Sequence, residues 1–240
     1  LNAINEASSA RSIRAVVFDL DGTLLDTAPD FVVVVNQLRA EHQLAPLPAE
    51  RIRASVSNGA RALVSLALDI DENAAQFEPQ RQRLLKLYLN HIAVHTQLFP
   101  GIDTLLQLLG KHNIGWGIAT NKPSLYTHPL LQALNIQPAP VSVICPDDVQ
   151  QRKPHPESLW LASQHLGCTP QEIIYVGDHK RDIDCGKNAG AITIAAAYGY
   201  IEADDDIHQW QADYCVTHAS EIWPIVEQYL IAHKQPVHQD

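Results

Sequence analysis

From Pro100 onward, short apolar runs alternate with stretches of helical spacing, and this alternation restricts the possible folds more than any other feature of the chain. Gly115 to Ala119, Val141 to Cys145, Ile173 to Val176, Ile192 to Ala195 and Tyr214 to Val216 read as short strands. Between and after them, Ile102 to Leu109, Leu125 to Leu134, Pro156 to Leu166, Ile183 to Ala189 and Ser220 to Ala232 read as helices. Strands that are apolar along their whole length must be covered on both faces. With helices between them, the expectation is an α/β fold with a Rossmann-like parallel sheet. One more strand, Ala15 to Phe18, lies far upstream and runs into Asp19-Leu20-Asp21-Gly22-Thr23, a turn carrying two acids.

The stretch separating that first strand from the rest has a different texture. Thr27, Pro29 and Asp30 form a helix start, although Val32 to Val35 taken alone would suggest a strand. Pro46 and Pro48 break the chain, and Ala60 to Leu68 and Asn73 to Val94 follow with helical spacing. The expected organisation is a catalytic core from residues 1–26 and 97–240, interrupted by an all-helical unit at 27–96. The tail from Lys234 is expected to be frayed. No internal repeat or low-complexity segment interrupts this plan.

Composition narrows the function. Acids outnumber bases 27 to 17, for a net charge of −10, which argues against nucleic acid as a partner. The cysteines Cys145, Cys168, Cys185 and Cys215 form no C-x-x-C pair, so neither a zinc knuckle nor a disulfide framework is indicated. No run of about 18 apolar residues suggests a membrane span. The N-terminal residues lack the basic start and apolar stretch of a signal peptide, so a cytoplasmic location is expected.

Ligands of open α/β sheets bind at the carboxyl ends of the strands, and the chain places its chemistry there. The first strand ends at Asp19 and Asp21, the second at Thr120-Asn121-Lys122, and the segment after Val149 carries Arg152-Lys153-Pro154. Ile173 to Val176 runs into Gly177-Asp178, with Asp182 beyond. Four carboxylates brought together in a low-dielectric crevice would repel strongly without compensation. A hard divalent cation is the natural partner, and magnesium suits an all-oxygen set without a His or Cys cluster. Each segment alone has a plainer reading, as a turn, a helix start or a solvated lysine. Together those readings require four coincidences.

V-F-D-L-D-G-T-L-L-D, I-A-T-N-K, R-K-P-H-P-E and V-G-D-H-K-R-D-I, in that order, resemble the four motifs of the haloacid dehalogenase superfamily of phosphatases. The resemblance implies Asp19 as nucleophile and Asp21 as general acid and base. It implies phosphate binding by Thr120, Asn121 and Lys153. It also implies Mg2+ held by Asp19, Asp178 and the Asp21 main chain, with Asp182 in support. His179 departs from the small hydroxyl residue expected after the fourth-motif aspartate, and is read as a polar rim residue.

The helical unit is similar to the cap of the phosphoglycolate phosphatase-like branch, so substrate choice is expected to lie in it. Ser57-Asn58-Gly59-Ala60-Arg61 is its most suggestive segment: Gly59 permits close backbone approach, and Asn58 and Arg61 could reach substrate. Arg61 as a solvated surface charge is an equally good reading. T-A-P-D-F, V-S-N-G-A-R-A-L and I-C-P-D-D-V look like the N-acetylmuramic acid 6-phosphate phosphatases of cell-wall recycling. The implied substrate is a small phosphorylated metabolite bearing a carboxylate, with that amino-sugar phosphate favoured slightly over 2-phosphoglycolate. The implied assembly is a monomer or homodimer. A sugar phosphomutase and an inactive binding module remain as rivals. A 2-haloacid dehalogenase needs neither Asp21 nor a metal. His91 and His95 have the i, i+4 spacing of a helical metal pair but no evident third ligand, and are read as part of a surface helix.

Overall fold

The computed structural model describes residues 12–202 and 205–231, so the tail from Lys234 lies outside the described residues. The strands are β1 (Ala15–Phe18), β2 (Leu25–Asp26), β3 (Gln97–Leu98), β4 (Gly115–Ala119), β5 (Ser142–Ile144), β6 (Ile173–Gly177), β7 (Ile192–Ala196) and β8 (Tyr214–Val216). The helices are α1 (Ala28–Glu41), α2 (Ala49–Arg53), α3 (Gly59–Leu68), α4 (Phe77–Asn90), α5 (Ile102–Lys111), α6 (Ser124–Leu134), α7 (Glu157–Leu166), α8 (Lys180–Ala189) and α9 (Ile222–Ile231). Among the described residues, six strands form one sheet in the order β5-β4-β1-β6-β7-β8, every neighbouring pair parallel. This is the mostly parallel, helix-covered sheet that the alternating pattern predicts.

Strand β1 is central because it is apolar on both faces. Val16 and Phe18 join one buried cluster with Ile118, Ile174 and Val176, whereas Ala15 and Val17 join another with Ala119, Leu159 and Tyr175. The alternation follows from side chains pointing to opposite faces at successive strand positions. The chain adds β4 and β5 on one side of β1, then crosses over to add β6, β7 and β8 on the other. That crossover leaves a crevice at the carboxyl end of β1, between the loops that leave β4 and β6.

Helices α1 to α4 occupy the stretch between β2 and β3. These two strands are only two residues long and pair antiparallel, Leu25 with Leu98 and Asp26 with Gln97, so the outgoing and returning chains lie side by side. Too short to show periodicity, neither was expected from the sequence, and nor was α2. The Val32 to Val35 run is helical despite its propensity, because Val34, Val35 and Leu38 are buried on one face of α1 and packing overrides the intrinsic preference. The helix expected over Asn73 to Val94 is shorter, beginning at Phe77 and ending at Asn90. At its start, Asn73 donates its backbone N–H to Asp71 Oδ1 in a local turn.

Among the described residues, no helix is long and apolar enough to cross a membrane.

Candidate active site

The Asp19-Leu20-Asp21 segment leaves β1 still tied to the sheet, with Asp19 N donating to Val176 O at 2.8 Å. Gly22 then turns back at φ 87°, in the left-handed region that glycine tolerates. A β-carbon there would lie 2.1 Å from Asp178 Oδ2, so the turn and the fourth-motif aspartate pack against each other only because residue 22 has no side chain.

Lys153 is the hub of the site. Its almost fully buried ammonium lies 2.8 Å from Asp19 Oδ1, 2.7 Å from Asp182 Oδ1, 3.0 Å from Tyr175 OH and 2.9 Å from Ala119 O. An ammonium has three hydrogens. They are accommodated if Lys153 donates to Asp19, Asp182 and Tyr175, while the tyrosine hydroxyl donates to Ala119 O at 2.9 Å. Burial alone would lower the Lys153 pKa, but the carboxylates of Asp182 and Asp19 outweigh it and hold the amine above the usual lysine range. Asn121 sets the position of this lysine's backbone: its Oδ1 accepts from Lys153 N and its Nδ2 donates to Lys153 O, both at 3.3 Å. Thr120 is buried and accepts from Lys122 N at 3.1 Å.

Asp21 belongs to a separate set. Its Oδ1 accepts from Thr27 Oγ1 at 2.6 Å and from Lys122 Nζ at 2.9 Å. Lys122 also lies 4.5 Å from the ring centroid of Tyr88 and 5.1 Å from that of Phe31, on α4 and α1 respectively. Burial would lower this amine too, but Asp21 and then Tyr88 prevail and raise it. The two lysines therefore hold the two aspartates of one turn in different directions.

Carboxylate oxygens of Asp19, Asp178 and Asp182 lie within 4.8 Å of one another. Asp178 accepts from Thr23 Oγ1 at 2.9 Å, Tyr200 N at 2.9 Å and Ser57 Oγ at 3.1 Å. Burial, reinforced by the neighbouring carboxylates of Asp19 and Asp182, pushes Asp178 up to about 7. Burial likewise pushes Asp19 up to about 6 against the opposing pull of Lys153. Clustered buried carboxylates held above their ordinary range are short of positive charge, which a divalent cation would supply; the all-oxygen donor set fits magnesium. Asp182 also accepts from His179 N at 3.1 Å, closing a cap at the start of α8.

His179 Nδ1 accepts from Arg181 N at 3.1 Å and the ring stacks 6.4 Å from Trp210. Burial lowers its pKa to about 4, so the ring is neutral near pH 7.

From the helical unit, the segment singled out in the sequence reaches the site unevenly. Ser57 touches Asp178, its carbonyl accepts from Arg181 Nη2 at 2.5 Å, and Asn58 Nδ2 donates to Glu202. Gly59 has φ 80° and open space around it. Arg61 is on the surface, paired with Glu72 at 2.6 Å and 5.2 Å from the Phe77 ring centroid. Its surface-charge reading is the one that fits.

Sequence reasoning gave no role to Lys122, Ser57, Tyr175 or Arg53. Arg53, on α2, donates to both oxygens of Asp26 at 2.7 and 2.9 Å and stacks 4.7 Å from Tyr200. Lys122 and Ser57 lie within local motifs, but their partners, Asp21 and Asp178, like those of Tyr175 and Arg53, lie far away along the chain.

The family described as haloacid dehalogenase-like hydrolase matches residues 16–196. An N-acetylmuramic acid 6-phosphate phosphatase of Pseudomonas aeruginosa is 41% identical over 91% of this chain and 96% of its own. A phosphoglycolate phosphatase of Xanthomonas campestris is 39% identical over 88% of this chain and 95% of its own. In structure, a predicted phosphoglycolate phosphatase from Haemophilus somnus superposes with a TM-score of 0.77 at 24% identity, covering 89% of this chain and 97% of that one.

Proposed function

The chain belongs to the haloacid dehalogenase-like hydrolases, and from that membership we propose that it is a magnesium-dependent phosphatase forming an aspartyl-phosphate on Asp19. The observation that carries this reading is the contrast between the two aspartates of the β1 turn. Asp19 shares Lys153 with the carboxylate cluster, whereas Asp21 is held apart by Thr27 and Lys122.

In the first half-reaction an Asp19 carboxylate oxygen attacks phosphorus, and the bond from phosphorus to the leaving oxygen breaks. That oxygen takes a proton from Asp21. In the second, Asp21 removes a proton from water as the water oxygen attacks phosphorus, releasing inorganic phosphate and regenerating the Asp19 carboxylate. Lys153 stays beside Asp19 throughout and offsets the charge of the transferring group, with the Thr120 hydroxyl as a further phosphate ligand. Asn121 acts through its hold on the Lys153 backbone. Asp19, Asp178 and the Asp21 carbonyl would hold magnesium, with Asp182 in support. When bound, the ion supplies charge neutralisation to phosphate and nucleophile.

Residues 27–96 act in this reading as a cap that excludes bulk water and contributes to substrate choice, with Ser57 and Asn58 at its contact with the core. The substrate is a small phosphorylated carboxylate. N-acetylmuramic acid 6-phosphate is favoured, supported by the Pseudomonas relative's name and near-complete coverage; phosphoglycolate is the second reading, supported by the Xanthomonas relative.

The test of mechanism is Asp19→Asn, expected to lower kcat by at least about 1000-fold, roughly 4 kcal/mol of barrier, with the fold intact. Unchanged turnover would remove Asp19 from the mechanism. For substrate, kcat/KM for the two phosphates should differ by about 100-fold, roughly 2.7 kcal/mol. A preference for phosphoglycolate would reverse the assignment.

A further inference from the structure

We propose that Asp30, His91 and His95 form a second metal site, for an ion of the zinc class, at the base of the helical insertion. The two histidines are not on a helix: His91 caps the C-terminus of α4 and His95 lies beyond it, in the segment returning to β3. Their third partner comes from the opposite crossing of the chain. Asp30 lies in the first turn of α1, its side chain fully buried.

One ligand atom from each of the three residues lies within 4.8 Å of the others, and the two imidazole rings are 5.5 Å apart. The spacing between His91 and Asp30 points to an ion between them. His91 Nε2 is 3.5 Å from Asp30 Oδ1, and this buried ring nitrogen has no hydrogen-bond partner among the described residues. A direct N–H···O bond would bring the pair to about 2.9 Å. Two ligands each about 2.1 Å from one tetrahedral ion lie about 3.4 Å apart.

The carboxylate is also held as a metal ligand usually is. Asp30 Oδ1 accepts from His95 N at 2.8 Å; Oδ2 accepts from Thr96 N at 3.1 Å and Thr96 Oγ1 at 2.6 Å. These bonds fix its plane and leave Oδ1 facing the histidines. Among the described residues, no Lys or Arg pairs with Asp30, so a cation between it and the imidazoles would offset a buried charge. Two imidazoles and one carboxylate suit zinc, cobalt or nickel, whereas the all-oxygen set of Asp19, Asp178 and Asp182 suits magnesium. The site joins the outgoing and returning chains beside the β2–β3 ribbon, and its argument is independent of the phosphatase reading.

The test uses the full chain in excess magnesium, with zinc and cobalt(II) as probes. One zinc per chain should be retained, and one equivalent of cobalt(II) should give the visible absorption of an imidazole-ligated ion. His95→Ala, at the exposed edge of the site, should weaken zinc binding at least about tenfold with an unchanged circular dichroism spectrum. His91→Ala should do the same. Asp178→Asn should keep the zinc. Failure of the parent to retain zinc, equal retention by parent and both histidine variants, or loss of the zinc in Asp178→Asn would each overturn the proposal.

Discussion

The strand ends of the core and the helical insertion both carry many charges but use them differently. At the strand ends, charged groups are buried and share partners across the whole chain: Lys153 serves Asp19, 134 residues away, as well as Asp182. In the insertion several charged pairs face water, as with Arg61 and Glu72, Arg81 and Glu78, or Arg83 and Glu41. A buried ammonium with two carboxylates cannot lose one member without stranding the others, whereas an exposed pair exchanges its partner for water. Sequence changes should therefore be costly in the first region and cheap in the second.

Lys153→Met is the strongest way to break that contrast. It leaves Asp19 and Asp182 without their shared cation, and should abolish turnover and cost about 3–5 kcal/mol in urea unfolding. Stability unchanged within error would mean that the cluster is more solvated than its burial indicates.

A second effect is set by protons. Asp19 and Asp178 lie near 6 and 7, above the ordinary 3.8, with burial as the main cause. Without metal, the folded chain keeps protons that the unfolded chain has released, so stability falls as pH rises from about 4 to about 7. Magnesium must displace those protons, so its effect on Tm should be small at pH 5 and clearly larger at pH 8. Equal shifts at the two pH values would place the ion elsewhere.

Arg53→Ala sharpens the comparison, because this half-exposed residue of the insertion pairs with the core across the boundary. It removes the donor to both oxygens of Asp26 and a stacking contact on Tyr200. A loss of about 1–3 kcal/mol in thermal or urea unfolding is expected; a loss no larger than that of Arg61→Ala would put Arg53 among the surface charges. Arg61→Ala, the smallest effect, should change kcat/KM by less than about twofold. A large rise in KM would show that the surface pair opens to reach substrate.

What could be read from the sequence was whatever repeats or runs locally. The apolar strands and helical spacing specify the sheet, and the four motifs name the residues that gather at its carboxyl edge. What could not be read depends on contacts between distant positions. Lys122 meets Asp21 across 101 residues, and Ser57 meets Asp178 across 121. The His91 and His95 spacing was legible, but its meaning depended on where α4 stops and on Asp30, 61 residues before His91. Val32 to Val35 shows the opposite limit, a local preference outweighed by a buried face that only the packed helices create.

The β2–β3 ribbon has a mechanical consequence. Two chains crossing a boundary side by side resemble two straps on one hinge pin. Rotation about the line joining them bends both equally and stretches neither, whereas rotation in their common plane requires one to shorten as the other lengthens. In the proposed cap reading, with Leu25 against Leu98 and Asp26 against Gln97, residues 27–96 would swing over the strand ends along one arc and resist yaw. Arg53 and Tyr200 both bond to Asp26, within that pin, while the bonds of Ser57 and Asn58 to the core lie out at the rim, where such a swing would have to break them.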